Sequence, residues 1–381
     1  MSRSIYLDYN ASTPLRAAVA ATLAEAMGRV GNPSSVHGFG REARRCVEEA
    51  RARVAALVGA LPGEVVFTSG ATESNALALA GFARPRRLVS ALEHDSIIAA
   101  EGVEIFAAHS DGTADLDALK ALLARDPRPA LVCLMLANNE TGVVQPVAAA
   151  VEIAHAHGAL LHCDAVQAAG RLSVSRPDLG ADSLSLSAHK IGGPMGCGAL
   201  VLRPGLRLKA LFAGGRQENG RRPGTENVPA IVGFGVAAEI AAADTTVAKA
   251  LAAMRDDLEA RLVSHLPGVA IHGAGAPRLP NTSCFSTPGL DAATQVMALD
   301  LAGVAVSAGA ACSSGKVQTS HVLAAMGVPA QAAGSAIRVS FGWDSRPDDV
   351  DRFLAAWRAL LDRRAAKTAS IRAVAPGRAS G

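Results

Sequence analysis

Residues 130–164 read ALVCLMLANNETGVVQPVAAAVEIAHAHGALLHCD, and their pattern decides the fold. An apolar run at 130–136 ends in the turn-forming cluster Asn138-Asn139-Glu140-Thr141-Gly142. A helical pattern follows over about 147–157, and a second apolar run, 159–163, ends at Asp164. Neither run alternates with period two, so both are expected to be strands buried on two faces, as in a parallel sheet covered by helices.

The same alternation continues outward in both directions. A strand at 64–68 (EVVFT) leads through Gly70 into a helical pattern at 73–81, a further strand is expected at 87–91 (RLVSA), and another at 183–187 (SLSLS) ends at His189-Lys190. Beyond about residue 246 the character changes to a long amphipathic helix over 246–266, then shorter strands near 270–272, 282–286 and 336–340. The expected architecture is α/β: a large domain over residues 15–245 and a smaller α+β domain from 1–14 and 246–364. The small, polar, Gly/Pro-punctuated stretch 365–381 is expected to be a flexible tail.

Composition narrows the function classes. The 381 residues are half hydrophobic but only 3% aromatic, so Ala, Val and Leu must fill the core. A formal net charge of +3 argues against a nucleic-acid footprint and against a polybasic membrane patch. The six cysteines (Cys46, Cys133, Cys163, Cys197, Cys284, Cys312) form no CxxC pair, so neither a disulfide framework nor a cysteine metal site is expected. No apolar run reaches membrane-spanning length and the N-terminus lacks a signal core, which together predict a cytoplasmic protein.

In an open parallel sheet, ligands bind beyond the carboxyl ends of the strands, and chemically capable residues gather there. Ser69-Gly70-Ala71-Thr72 joins a strand to a helix, either as an anion site on free N–H groups or as an ordinary cap. Asp164 ends a strand, where it can face a cationic nitrogen or cap the next segment, and Gln167 follows three residues on. Ser187-Ala188-His189-Lys190 is the most informative segment: a desolvated strand-end lysine becomes a nucleophilic amine, although a solvated charge is the commoner case. His94 follows a strand and can stack on an aromatic ligand or move protons, or be structural. His155 and His157 point to different helix faces, so no metal site is expected there. Cys312 lies among small residues, where a thiol is accessible, and Arg338 lies in a strand, where its cation needs a substrate carboxylate or a structural ion pair.

Taken together, an anion site, an acid for a ring nitrogen, a stackable histidine and a Schiff-base lysine match the demands of pyridoxal phosphate. With these residues in view, the chain resembles the NifS/IscS-type cysteine desulfurases of the class-V aminotransferases. The likeness runs from Tyr6-Leu7-Asp8-Tyr9-Asn10-Ala11 to about Asp344. It is carried by Asn32-Pro33-Ser34-Ser35, the stretch FTSGATESN at 67–75, NNETG at 138–142, DAVQ at 164–167, SAHK at 187–190 and RPGTEN at 222–227.

The resemblance implies the type I pyridoxal-phosphate fold, with a mostly parallel seven-stranded sheet. It implies that Lys190 carries the cofactor, Asp164 pairs with the ring nitrogen, Gln167 bonds the ring hydroxyl, His94 stacks on the ring and assists proton transfer, and Asn138 lies close to ring and substrate. Ala71, Thr72, Ser187 and His189 would hold the phosphate. Thr225 would reach the phosphate of a neighbouring subunit in a homodimer, and Arg338 would bind the carboxylate of L-cysteine. Cys312 would take the sulfur as a persulfide and pass it to an iron–sulfur scaffold or other acceptor. The spacing of Cys312 from Arg338 resembles that of members with a long mobile loop. Two departures are small-for-small: Ala188 where glycine is frequent, and AGAACSSG at 308–315 where SGSACTSG is usual. Two other functions share these features: a selenocysteine lyase or cysteine-sulfinate desulfinase of the same fold, and a catalytically silent sulfur-relay scaffold.

Overall fold

The computed structural model describes residues 4–244, 246–308 and 320–374, with side chains to residue 366. After a short first strand, β1 (Ile5–Tyr6), the chain builds its central sheet. The strands are β2 (Val65–Thr68), β3 (Arg86–Ser90), β4 (Val103–Phe106), β5 (Ala130–Cys133), β6 (Leu160–Asp164), β7 (Ser183–Ser187) and β8 (Gly198–Leu202). Their spatial order is β2-β8-β7-β6-β5-β3-β4, and every neighbouring pair is parallel except the two that involve β8. Neither β4 nor β8 is anticipated from the sequence. The direction of β8 follows from its connection: the short link across Ile191-Gly192-Gly193-Pro194 leaves no room for a crossover helix, so the chain must return antiparallel.

Each central strand feeds two cores. On β5, Val132 joins the cluster containing Val147, Ala150, Leu161 and Leu184, while Leu131 and Cys133 face the cluster containing Val66, Leu77, Val89 and Leu200. Helix Val147–Ala156 covers the first face and helix Ala71–Gly81 the second. The Ser-Leu alternation of β7 does not expose one face, because all five residues are buried. The apolar run at 130–136 forms strand only to Cys133, and the remainder continues as buried irregular chain.

The second part contains β9 (Ala270–Ile271), β10 (Thr282–Ser286), β11 (Val304–Ala305), β12 (Ser307–Ala308) and β13 (Ala336–Ser340). An antiparallel sheet in the order β12-β13-β10-β9 packs against helices Val247–His265 and Pro347–Val374. Its core holds Phe285, Phe341, Phe353 and Trp357 and also takes in Ile5 and Leu7, because β1 pairs with β11. The last helix runs on through residues 365–374, where composition suggests a frayed end; the Ala-rich AAKTAS stretch has the propensity to continue it.

Residues 8–13 stitch the two parts together. Asp8 bridges to Ser340 of β13, and the Asn10 side chain donates to the Asn139 carbonyl (3.1 Å) and to Thr282 of β10 (2.9 Å). Thr13 donates its backbone N–H to the His189 carbonyl and its hydroxyl to the Lys190 carbonyl (2.9 Å). This places β12 and β13 over the carboxyl ends of the central strands.

At the first residue of β8 the sheet tolerates no side chain. A Cβ on Gly198 would lie 2.7 Å from the Gly70 backbone, in the turn at the end of β2. Gly198→Val is therefore expected to displace that turn and to lower stability by about 1–3 kcal/mol, the usual cost of overpacking. The denaturant midpoint measures it, and an unchanged midpoint would show that the turn yields freely.

Candidate active site

Five strand ends meet in one cavity of about 620 Å³. Of the residues singled out in the sequence, Ala71, Thr72, His94, Asp164, Gln167, Ser187, His189, Lys190 and Arg338 line it. Asn138 and Thr225 are not among its lining residues, and Cys312 lies outside the described residues. The Asn138 side chain is buried and spent on its own turn: Oδ1 accepts the N–H groups of Glu140 and Thr141, and Nδ2 donates to the Leu92 carbonyl. Its neighbour Asn139 lines the cavity. Thr225 is exposed on its own chain.

Lys190 ends the 3-10 turn Ala188–Lys190 that closes β7. Its Nζ donates to the carbonyls of Asn10 (2.6 Å) and Ala11 (2.9 Å). Burial, followed by the nearby guanidinium groups of Arg171 and Arg338, pushes its pKa down to about 7. A large share of the amine is thus neutral and nucleophilic near neutral pH, which a solvated lysine cannot achieve. The same causes, burial first and then Lys190 and Arg171, lower His189 to about 4, so this ring is neutral beside the lysine.

Asp164 ends β6 with both oxygens engaged: Oδ2 accepts from Asn75 (2.8 Å) and Oδ1 from the Val166 N–H (3.0 Å). These donors satisfy the buried carboxylate and hold it at the wall of the cavity. Gln167 is pinned at both ends of its amide, donating to the Asn10 carbonyl (3.0 Å) and accepting from Arg171 (2.6 Å). Helix Ala71–Gly81 starts at Gly70 with no side-chain cap, leaving its first N–H groups directed at the cavity. Glu73 braces this turn by accepting the Ser69 N–H (2.7 Å) and pairing with Arg222 (2.8 Å).

The structural ion pair expected for Arg338 is present. Its guanidinium pairs with Asp8 (2.7 Å) and donates to the Asn139 carbonyl (2.9 Å), yet its buried Nε has no partner among the described residues. The side chain lines the chamber that holds the amine and the carboxylate.

Several functional neighbours carry no sequence signal on their own. Arg171 is half-buried and donates to Gln167 and to the carbonyls of Tyr9 and Lys190; only its place four residues after Gln167 hints at it. Asn10, Asp8 and Asn75 act through partners distant in sequence. Glu93, next to His94, is driven up to about 8 by burial and by Asp164, so it is protonated at neutral pH, with Oε1 accepting the Met135 N–H. Four of the cysteines, Cys133, Cys163, Cys197 and Cys284, are buried apolar fillers. His155 pairs with the buried Asp182 at 2.9 Å, a structural role.

Chemically, the cavity offers a neutral amine for a carbonyl carbon, a fixed carboxylate for a cationic nitrogen, helix N–H groups for an anion and a guanidinium for a carboxylate. Comparison with known proteins agrees with this set. Residues 5–353 match the family model for aminotransferase class-V. A cysteine desulfurase of Cereibacter sphaeroides is 44% identical over 375 residues, covering 94% of this chain and 96% of that protein. The X-ray structure of a NifS-like protein from Rickettsia africae superposes with a TM-score of 0.89 at 33% identity, covering 94% of this chain and 100% of that one. A structure of SspA in complex with cysteine superposes with a TM-score of 0.77 at 29% identity, covering 88% and 98%.

The lowered pKa of Lys190 has a direct readout. Only the neutral amine attacks an aldehyde, so the rate at which Lys190 condenses with a small aldehyde should rise with pH through a midpoint of about 7. Mass spectrometry of trapped adducts over a pH series tests this, and a midpoint at the ordinary lysine value of 10.5 would contradict it.

Proposed function

We infer the function from one premise: the chain belongs to the aminotransferase class-V family and is a cysteine desulfurase. We propose that its cofactor is pyridoxal 5'-phosphate and its substrate L-cysteine. The observation that carries this reading is the Lys190 amine, neutral near pH 7 and enclosed in the same chamber as the fixed Asp164 carboxylate. A catalytically silent scaffold has no use for a lysine held uncharged at a desolvation cost.

The donor set fits the cofactor at each of its polar groups. Asp164 would face the pyridine nitrogen, and the second amide proton of Gln167 is free for the ring hydroxyl. The open N-terminus of helix Ala71–Gly81, with Thr72, Ser187 and His189, would hold the phosphate dianion. Lys190 would join the aldehyde carbon. When bound, pyridoxal phosphate supplies an electron sink for the charge that develops at the substrate α-carbon.

The chain's own residues do the rest. Arg338, which lines the cavity, binds the cysteine carboxylate and orients the α-carbon towards Lys190. The Lys190 Nζ, displaced by the substrate amine, takes the α-proton, for which a pKa of about 7 suits it. The Cys312 thiolate then bonds to the substrate sulfur. As the carbon–sulfur bond breaks, its electron pair stays with the carbon skeleton, a proton completes alanine, and Cys312 keeps the sulfur as a persulfide for transfer to an acceptor protein.

We propose further that two copies share their sites. Thr225 is exposed and away from its own cavity. Beyond it, Asn227 and Val228 line a groove with the exposed apolar side chains of Val30 and Phe39, a surface of the kind that a second subunit covers.

Two variants separate the roles. Lys190→Ala should lose both the yellow absorbance of the bound cofactor and all turnover, whereas Cys312→Ser should keep the absorbance and the response to cysteine but release no sulfide. Full desulfurase activity in Cys312→Ser would end the nucleophile assignment. Arg338→Ala should raise the KM for cysteine by roughly ten- to a hundredfold, the value of a lost charge-assisted bond. Steady-state kinetics with cysteine measures it, and an unchanged KM would place the carboxylate elsewhere.

A further inference from the structure

We propose that Asn75 is a positioning residue that locks His94 as the tautomer with its proton on Nε2 and ties that lock to the Asp164 carboxylate. His94 then meets the substrate through an Nε2–H hydrogen-bond donor, with no ring nitrogen left to act as a base. The proposal deepens the desulfurase reading and rests on it for its catalytic meaning, while the hydrogen-bond relay itself stands on geometry alone.

Asn75 lies on helix Ala71–Gly81 with no exposed surface, and all its polar atoms are committed. Its Oδ1 lies 3.0 Å from His162 Nε2. An amide oxygen only accepts, so His162 carries its proton on Nε2. That ring is neutral, its pKa pushed down to about 3 by burial, and its bare Nδ1 takes the Ser183 hydroxyl proton at 2.8 Å. The orientation of the Asn75 amide is therefore fixed, since a flip would turn its oxygen against the Asp164 carboxylate.

The two protons on Asn75 Nδ2 go to Asp164 Oδ2 (2.8 Å) and to Ser96 Oγ (2.9 Å). Having accepted there, Ser96 directs its own hydroxyl proton to His94 Nδ1 at 2.9 Å. The Ser96 backbone N–H, which can only donate, also meets His94 Nδ1, at 3.1 Å, as the cap of helix Asp95–Ile98. A nitrogen that accepts two bonds bears no proton. The neutral His94 ring thus carries its hydrogen on Nε2, the nitrogen left for the cavity that His94 lines.

The relay Asp164–Asn75–Ser96–His94 therefore has every bond direction set, with Asn75 donating to both sides and Ser96 passing the donation on to His94. It fixes the Asp164 carboxylate and leaves the His94 Nε2–H for the cavity that both residues line. Proton abstraction falls to Lys190 alone. The sequence assigns His94 a general role in proton transfer; the bond directions restrict its neutral ring to donating a hydrogen bond from Nε2.

The experiment uses the full-length, cofactor-free protein labelled with 15N-histidine, the His94 signals being assigned with His94→Gln. The expected spectrum has a pyridine-type Nδ1 and a pyrrole-type Nε2 at His94, and the reverse pattern would overturn the lock. Ser96→Ala, a half-buried site that spares the core, removes the shorter hydroxyl bond and leaves Nδ1 only the 3.1 Å backbone N–H at the start of a four-residue helix, so the His94 signals should shift towards a mixture of tautomers. In the cofactor-loaded enzyme, Ser96→Ala and Asn75→Leu should lower kcat with cysteine by roughly ten- to a hundredfold while KM changes by less than about twofold. Unchanged His94 signals together with unchanged kcat in Ser96→Ala would refute the relay whether or not Asn75→Leu folds. A wild-type protein with the stated tautomer but no desulfurase activity would sink the functional reading and leave the relay standing, so the two failures are distinct.

Discussion

Asn10 is the pin on which the architecture turns, because every polar group it owns is spent between the two halves of the molecule. Its backbone N–H reaches Ser340 on β13, and its amide reaches Thr282 on β10 and the Asn139 carbonyl, while its Oδ1 accepts from Asn281. Its own carbonyl accepts both Lys190 and Gln167. A single buried residue thus sets the height of the second sheet over the first and the direction of the lysine beneath it. Satisfied on all sides, such a network rigidifies; missing any partner, it would leave buried polar groups exposed to the full cost of desolvation.

Charge explains why the chamber is reactive. Lys190, Arg171 and Arg338 crowd a small, partly buried volume, where Asp8 and Asp164 oppose them while burial holds Glu93 protonated. The lysine is the one cation that can yield, since a guanidinium holds its proton far more tightly. Its neutrality comes first from burial and then from this crowding, and reactivity follows from it.

Much of this was legible in the sequence because strand ends leave local marks. Lys190, Asp164, His94 and the Gly70 turn each follow an apolar run, and the period of those runs announces a buried parallel sheet. What stayed hidden depends on long-range contact. Arg171 and Asn75 look like ordinary helix residues until the chain folds, and nothing local says that the Asn138 side chain turns inward while Asn139 faces the cavity. The return strand β8 was missed for a related reason: GALVL reads as apolar filler, and only the shortness of the preceding link dictates its direction.

The ion pair of Arg338 with Asp8 has a consequence for how the protein selects what it admits. Asp8 gives one oxygen to the arginine and the other to the Ser307 hydroxyl, so the guanidinium is already neutralised when a ligand arrives. A compensated cation casts little field into solution and draws no anion from afar. Discrimination among amino acids is then made at touching range, by fit against a preset donor, and small acids abundant around the molecule gain no purchase merely by being negative.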